Sequence, residues 1–347
     1  MVHIGISVYD KYKWLFIVLK DFYVGNKRSD NPNVLPLLIR MLESDIEFLR
    51  LNKLLVGLAE LCRSFSYRSA VLDQRLRRYR VYIEEARRVS RAIASYGIKF
   101  VFFKTVTVFP KDIADLDVLV FGKEDLENAE KILTEIGYRK RKKALEQHLW
   151  SLSKNDVIVD IELHTIVAAA SYEYYPKSII FRNVVELDGV KTTSPLDSIM
   201  LTVAHSVVKD FYITLADILD FALTIDKYDI DFNTLIRHAR NLGLTTPLLL
   251  YMFLLSEFDE EMHKRLGVAN RSFWQKLFTA INCKRVPLRP GINTLIPSYL
   301  MMTLSKLRYK PLSSVLSEVL SLPQSKGLDN LIYYIVGAKP LVKKFSE

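Results

Sequence analysis

Hydrophobic and polar positions along this chain change rhythm twice. Pro36 to Phe65 and Ser69 to Tyr96 carry apolar residues at helical spacing, with no proline beyond the first position. In the second run Leu72, Leu76, Tyr79, Ile83, Ala86 and Ile93 step by fours and threes along one face, and Gly97 supplies a helix end. At Ile98 the rhythm shortens. IKFVFFK (Ile98 to Lys104), LDVLVF (Leu116 to Phe121) and DVIVDIELH (Asp156 to His164) have strand length, the last with clear alternation. Ile179 to Leu187, ahead of the turn signal Asp188-Gly189, predicts a fourth strand. Lys123 to Ile136 predicts an amphipathic helix closed by Gly137, and the basic stretch Arg139 to Lys143 follows it. From Ser194 helical spacing returns, because Ser194-Pro195-Leu196-Asp197 places an N-cap, a first-turn proline and an acid in order. Helices are predicted through Tyr228 and over Asp231 to Asn241, Thr246 to Phe258, Arg271 to Ile281, Pro297 to Leu307, Leu312 to Leu320 and Leu328 to Val336, with a loop at Pro287 to Gly291.

This ordering predicts an α+β fold: a mixed β-sheet with flanking helices, plus N-terminal and C-terminal helical regions. The expected divisions are a basic helical region over 1–96, a sheet domain over 97–192 and a helical domain over 193–347. A length of 347 residues suits about two domains and a sizeable core. Apolar runs such as Trp14 to Leu19 and Thr245 to Leu255 fall short of the roughly 20 residues a membrane span needs. Met1 to Asp10 lacks the basic and apolar regions of a signal peptide, so a soluble cytoplasmic protein with no membrane partner is expected. Cys62 and Cys283 stand alone, without zinc-ligand spacing or a disulfide framework, which predicts a packing role. Four Gln against 49 Lys plus Arg is a bias common in hyperthermophiles. The formal charge of +10 favours an anionic partner: a nucleoside triphosphate, RNA or an acidic protein. Arg75, Arg77, Arg78, Arg80, Arg87, Arg88 and Arg91 line the outer faces of the second helical run, interrupted by Glu84 and Glu85; a solvated face and a phosphate-binding face both fit them.

Two acids stand where an apolar strand should have none. Asp115 and Asp117 are two residues apart, so on a strand their carboxylates share a face, while Leu116, Val118 and Val120 share the other. Adjacent buried carboxylates repel and lose hydration unless a cation sits between them. Asp160, Glu162 and His164 repeat the device on one face of VDIELH. If the two strands are neighbours, carboxylates converge in the oxygen-rich arrangement that holds Mg²⁺ beside phosphates. The bland readings are an edge strand showing Asp115 and Asp117 to water, and a His164 that only makes a structural hydrogen bond.

VFFK (Val101 to Lys104), DLDVLVF (Asp115 to Phe121), AEKILTEIGY (Ala129 to Tyr138) and IELH (Ile161 to His164) resemble the uncharacterised nucleotidyltransferase-like family of the nucleotidyltransferase (polymerase beta-like) superfamily. SPLDSIMLTVAHSVVKD (Ser194 to Asp210) and LADILDF (Leu215 to Phe221) resemble its C-terminal helices; the likeness spans roughly Ile93 to Tyr228. The resemblance implies the nucleotidyltransferase fold and transfer of a nucleoside monophosphate from a triphosphate to an acceptor hydroxyl, with Mg²⁺ or Mn²⁺. It assigns Asp115 and Asp117 to the metal and Glu162 to the third carboxylate, with Asp160 as its rival. Lys104 matches the lysine before the phosphate loop, and Lys111 stands near a basic residue often seen ahead of the aspartates; both would pair with triphosphate oxygens.

The family's small residues after the first strand are replaced here by Thr105, Val106 and Thr107, so the hydroxyls of Thr105 and Thr107 must donate where bare backbone would. His205 and Lys209, four apart on one helix face with Tyr212 just beyond, are secondary candidates to close over the nucleotide. Asp217 and Asp220 lie on the next helix, and a polar helix contact in which Asp217 pairs with His205 or Lys209 fits equally. A catalytically degenerate binding or scaffold protein is the alternative to the enzyme, and a toxin-like transferase acting on RNA or protein shares its chemistry.

Overall fold

The computed structural model describes residues 8–25, 33–143, 147–169, 171–266, 288–290 and 292–321. The helices expected over 271–281 and 328–336, and Cys283, lie outside these residues. Contacts group the described chain into two units, each assembled from separate stretches. One comprises described residues of 8–73, 108–111 and 203–308, the other those of 74–107, 112–202 and 309–321.

The second unit is built on a mixed seven-stranded sheet. In chain order its strands are β1 (Phe100–Phe102), β2 (Leu116–Val120), β3 (Arg139–Lys143), β4 (Gln147–Lys154) and β5 (Val157–His164), and after a separate hairpin of β6 (Val167–Ala169) and β7 (Tyr172–Tyr175), β8 (Val184–Leu187) and β9 (Val190–Thr193). The spatial order is β3-β4-β5-β2-β1-β9-β8. β2 runs parallel to β5 and antiparallel to β1, and β1 runs parallel to β9. Every residue of β2 is buried, which puts this strand in the interior of the sheet and excludes an edge position for Asp117. Between β2 and β3 lies the amphipathic helix α6 (Lys123–Glu135), where the periodicity places it.

Two segments depart from expectation. Ile179 to Arg182 belongs to a short helix, Lys177–Arg182, because Pro176 precedes it and only Ile180 turns fully inward; the strand begins at Val184. Arg139–Lys143, which reads as a basic tract without alternation, is the edge strand β3. An edge has no apolar partner to demand alternation, and lysines there discourage further pairing.

The helices of the N-terminal half are α1 (Val8–Val24), α2 (Val34–Ser44), α3 (Ile46–Leu51), α4 (Leu55–Ser64) and α5 (Ala70–Ser95). The single run expected over 36–65 is broken at Asp45 and again at Asn52-Lys53, where Lys53 takes a left-handed φ of 57°. Helix α5 buries Val81, Tyr82, Ala86, Val89 and Ile93 against Phe100, Phe102, Val118, Val120 and Ile161 of the sheet. Tyr82 and Val89, rather than Ile83, complete the buried stripe. After α7 (Lys177–Arg182) come α8 (Pro195–Ala204), a π-helical turn over His205–Lys209, α9 (Leu215–Tyr228), α10 (Phe232–Leu242), α11 (Thr245–Phe258), α12 (Glu260–Leu266), α13 (Ile292–Lys306) and α14 (Leu312–Ser321). In the first unit α11 packs against α1, α9, α10 and α13, burying Tyr251, Leu254, Leu255 and Phe258. No helix among the described residues is long and apolar enough to cross a membrane.

Candidate active site

The parallel pairing of β2 with β5 sets the site. Its register puts Asp117 opposite Glu162 and Leu119 opposite His164, so acids from two distant stretches become neighbours. One ligand atom each from Asp117, Glu162 and His164 lies within 4.8 Å of the other two, and all three residues are buried. His164 Nε2 is 2.9 Å from Asp117 Oδ1 and 3.6 Å from Glu162 Oε2. Burial works against charge on the imidazole, but its hydrogen bonds to Asp117 and Glu162 win and raise its pKa above the ordinary histidine value. Phe103 packs edge-on against the His164 ring, with centroids 5.3 Å apart.

Lys104 closes the other side. Its Nζ stands 2.8 Å from Asp117 Oδ2. Burial opposes its charge, yet Asp117 foremost, with Tyr174 and Asp115, holds its pKa well above that of an ordinary lysine. The backbone at Lys104 takes φ 62°, a left-handed conformation that favours glycine and costs a lysine about 1 kcal/mol. The ion pair with Asp117 offsets that cost. Asp115 sits half-buried in the turn just before β2, where its charge acts on Lys104.

A residue outside the sequence-based candidates positions both strands. The Tyr82 hydroxyl, from α5, is 2.8 Å from the Ala114 carbonyl and 3.0 Å from that of Ile158, tying the turn before Asp115 to β5. In the sequence Tyr82 is only one aromatic on a helix; nothing local marks its reach.

The remaining candidates are placed as follows. Asp160 bonds Ser151 Oγ on β4 and stands outside the converging group. Thr105 is buried, its hydroxyl 3.5 Å from the Phe103 carbonyl. Lys111 belongs to the first unit, where its Nζ lies 3.1 Å from Asp217 and 3.7 Å from Asp220. His205, also in the first unit, pairs with Asp210 at 3.2 Å, and Lys209 lies half-buried in the same π-helical turn. The acidic partner of Lys111 is thus Asp217, and that of His205 is Asp210.

The donor set suits a divalent cation: two carboxylates and an imidazole, buried and mutually within the span of one ion's ligands. Over residues 67–258, more than half of its length, the sequence matches the family described as uncharacterised nucleotidyltransferase. The chain belongs to that family. The matched stretch contains the sheet, the carboxylates and helices α5 to α11. No curated protein and no solved structure matches this nucleotidyltransferase family member. General nucleotidyl transfer is therefore the activity its family points to, with a nucleoside triphosphate as the corresponding substrate.

Proposed function

We propose that the protein is a metal-dependent nucleotidyltransferase that moves a nucleoside monophosphate from a triphosphate to an acceptor hydroxyl. The observation that carries this is the register of β2 on β5, which brings Asp117, Glu162 and His164 within one ion's reach at a position where a family member needs acids. Asp117 and Glu162, with Asp115 from the adjoining turn and His164 as a further donor, would hold Mg²⁺ or Mn²⁺. Such an ion neutralises phosphate charge and lowers the pKa of a hydroxyl. An imidazole in the set favours Mn²⁺; if His164 keeps its hydrogen bond to Asp117, the oxygen-only set of Asp115, Asp117 and Glu162 suits Mg²⁺.

In the reaction the acceptor oxygen attacks the α-phosphorus, the bond from that phosphorus to the bridging oxygen breaks, and pyrophosphate leaves with the electron pair. Glu162 takes the hydroxyl proton in this reading, and Asp160, engaged with Ser151, does not. Lys104 and the Thr105 hydroxyl face the triphosphate oxygens. We place the enzyme in the cytoplasm and take its acceptor to be RNA, a protein or a small molecule, the net charge of +10 favouring an anionic partner such as RNA or an acidic protein.

A second reading has its own observation. Lys104 and His164 already engage both oxygens of Asp117, and Thr105, Val106 and Thr107 stand where small residues would bare the backbone. These features fit a degenerate family member that binds or scaffolds. Incubation with each labelled triphosphate, Mg²⁺ or Mn²⁺, and total cellular RNA and protein separates the two. Label transfer and pyrophosphate release, both lost in the Asp115→Ala, Asp117→Ala double variant, are expected. Absence of pyrophosphate release with every acceptor, together with no metal-dependent triphosphate binding by calorimetry, overturns the enzyme in favour of the scaffold.

A further inference from the structure

β1 and β2 have two ends, and the carboxylates occupy only one of them. Phe100 pairs with Val120, and the Phe121 N–H donates to the Lys99 carbonyl at 3.0 Å, so Phe121 and Lys99 mark the far end. Four residues along a strand separate Asp117 from Phe121, roughly 13 Å. At that far end a cleft of about 510 Å³ opens between the start of β1, helix α7 and β9. Its volume lies in the range of about 300 to 1,000 Å³ typical of small-ligand sites.

The chemistry of its walls is specific. Lys99, Arg182 and Lys191 line it, and no acidic side chain does. Among the described residues these three cations make no ion pair with a carboxylate. Lys99 Nζ lies 5.2 Å from the Phe121 ring centroid and Lys191 Nζ 5.4 Å from that of Phe100, so two ammonium groups rest on aromatic faces in place of anions. Phe121 is 42 % exposed, a large apolar ring left at the surface, and Phe181 meets it edge-on at 5.2 Å. Lys177 Nζ donates to the Phe121 carbonyl at 2.7 Å and lies 5.6 Å from the ring centroid, so it fixes the backbone beneath that ring and is a second ammonium beside it.

An exposed ring, Phe121, with the half-buried Phe181 against it, beside cations that make no ion pair among the described residues, supplies the two components of sequence-tolerant recognition of single-stranded nucleic acid: a π-face for the base and cations for the phosphates. An acidic peptide would use the cations but presents a ring to Phe121 only where an aromatic residue falls beside its charges, whereas every nucleotide carries one. We propose that this cleft binds one base and the flanking phosphates of a single-stranded nucleic acid, with the base on Phe121 and Phe181 and the phosphates on Lys99, Arg182 and Lys191. Lys99 is exposed, so an arriving base displaces its ammonium from the ring and the ammonium moves to a phosphate. The site stands apart from the carboxylates and is independent of whether they transfer a nucleotide.

The test is fluorescence anisotropy of a labelled single-stranded RNA of about a dozen nucleotides with the full chain, across a salt series. Lys99→Ala with Lys191→Ala is expected to weaken binding at least tenfold and to lower the slope of log affinity on log salt by about 1.4, since each phosphate contact on a single strand contributes about 0.7. Phe121→Leu, which keeps bulk but removes the π-face, is expected to weaken binding roughly tenfold with the slope unchanged. Thermal melts confirm that the variants fold. Should Phe121→Leu fail to fold, photocrosslinking of 4-thiouridine RNA to the wild-type chain replaces it, and crosslinks at Phe121 or Phe181 support the site. No binding by the wild type, wild-type affinity retained in both variants, or crosslinks confined elsewhere overturns it. An effect of the lysine variant alone, or equal competition by an acidic peptide, also overturns it by removing the stacking contribution. Competition by a free nucleoside monophosphate at equal concentration reassigns the cleft to free nucleotides and overturns the polymer.

Discussion

His164 reaches Asp117 from the neighbouring parallel strand, Nε2 to Oδ1 at 2.9 Å, while Lys104 holds the other oxygen of the same carboxylate at 2.8 Å. Asp117 therefore has two hydrogen-bonding partners, an ammonium and an imidazole, before any ion arrives. A metal must outcompete or share the buried His164 and the half-buried Lys104.

That relationship makes a prediction about Lys104. Lys104→Met removes one competitor for Asp117 and one triphosphate ligand together. Calorimetry is expected to show Mn²⁺ bound several-fold more tightly and triphosphate about tenfold more weakly, the loss of one charge-assisted contact. Unchanged Mn²⁺ affinity would show that the ammonium does not compete for the carboxylate.

Acid stability reports on the first unit. Burial alone would push the Asp217 carboxyl up, but the charges of Lys111 and Lys53 and the Thr214 hydrogen bond bring it from 3.8 down to about 2. A depressed carboxylate stabilises the fold fully above its unfolded pKa and loses that contribution as pH falls through its folded one. The window is therefore about pH 4 to pH 2, and the size about 2 kcal/mol. Asp220 works in the opposite direction, since burial outweighs Lys111 and raises its pKa. Urea unfolding followed from pH 5 to pH 2 is expected to show a slope that is smaller in Asp217→Asn; an identical slope in the variant would remove Asp217 as its source.

Helix α5 carries a buried ionic knot beneath its arginines. Glu85 is fully buried and accepts from Arg88 and Lys154, each at 2.7 Å, and from the Tyr138 hydroxyl at 2.9 Å. Glu85→Gln keeps the shape and removes the charge, leaving two cations partly desolvated. The pairs are about a third exposed on their basic sides, so the expected loss is about 2 kcal/mol rather than the 3 to 5 of a wholly buried pair. Denaturant midpoints measure it, and the double variant with Lys154→Met is expected to recover part of the loss.

Close packing sets a fourth expectation. A Cβ on Gly57 in α4 would stand 2.4 Å from Cζ of Phe109, a fully buried ring. Gly57→Ala gains helix propensity worth under about 1 kcal/mol but overpacks the core at a cost of about 1 to 3. A lower melting temperature is expected, restored in part by Phe109→Leu; a higher one would mean that the ring moves freely.

Some of this was legible locally. Alternation in VDIELH and the out-of-place acids of LDVLV mark two strands and their odd carboxylates, because period two and charge are properties of single segments. Helix α5 is legible for the same reason, and its slight misreading at Ile83 is a matter of phase on one helix. The edge strand β3 is not, since exposed edge residues carry no hydrophobic signal. Nor is Tyr82, whose hydroxyl serves residues 32 and 76 positions away.

By itself the sequence determined most element types, the mixed α and β character, and that Asp117, Asp160 and Glu162 stand on strands, while Asp115, expected beside Asp117 on the strand, falls just before β2; the determined features follow from spacing and burial preference along a continuous stretch. Only the tertiary structure decided that β2 lies beside β5 in the register that sets Asp117 against Glu162, that Lys104 and His164 share Asp117, and that Lys111 answers to Asp217. Strand pairing and ion pairs here join residues from 13 to 106 positions apart, chosen by the burial of whole faces and the matching of charges inside the fold, and no local pattern encodes that choice.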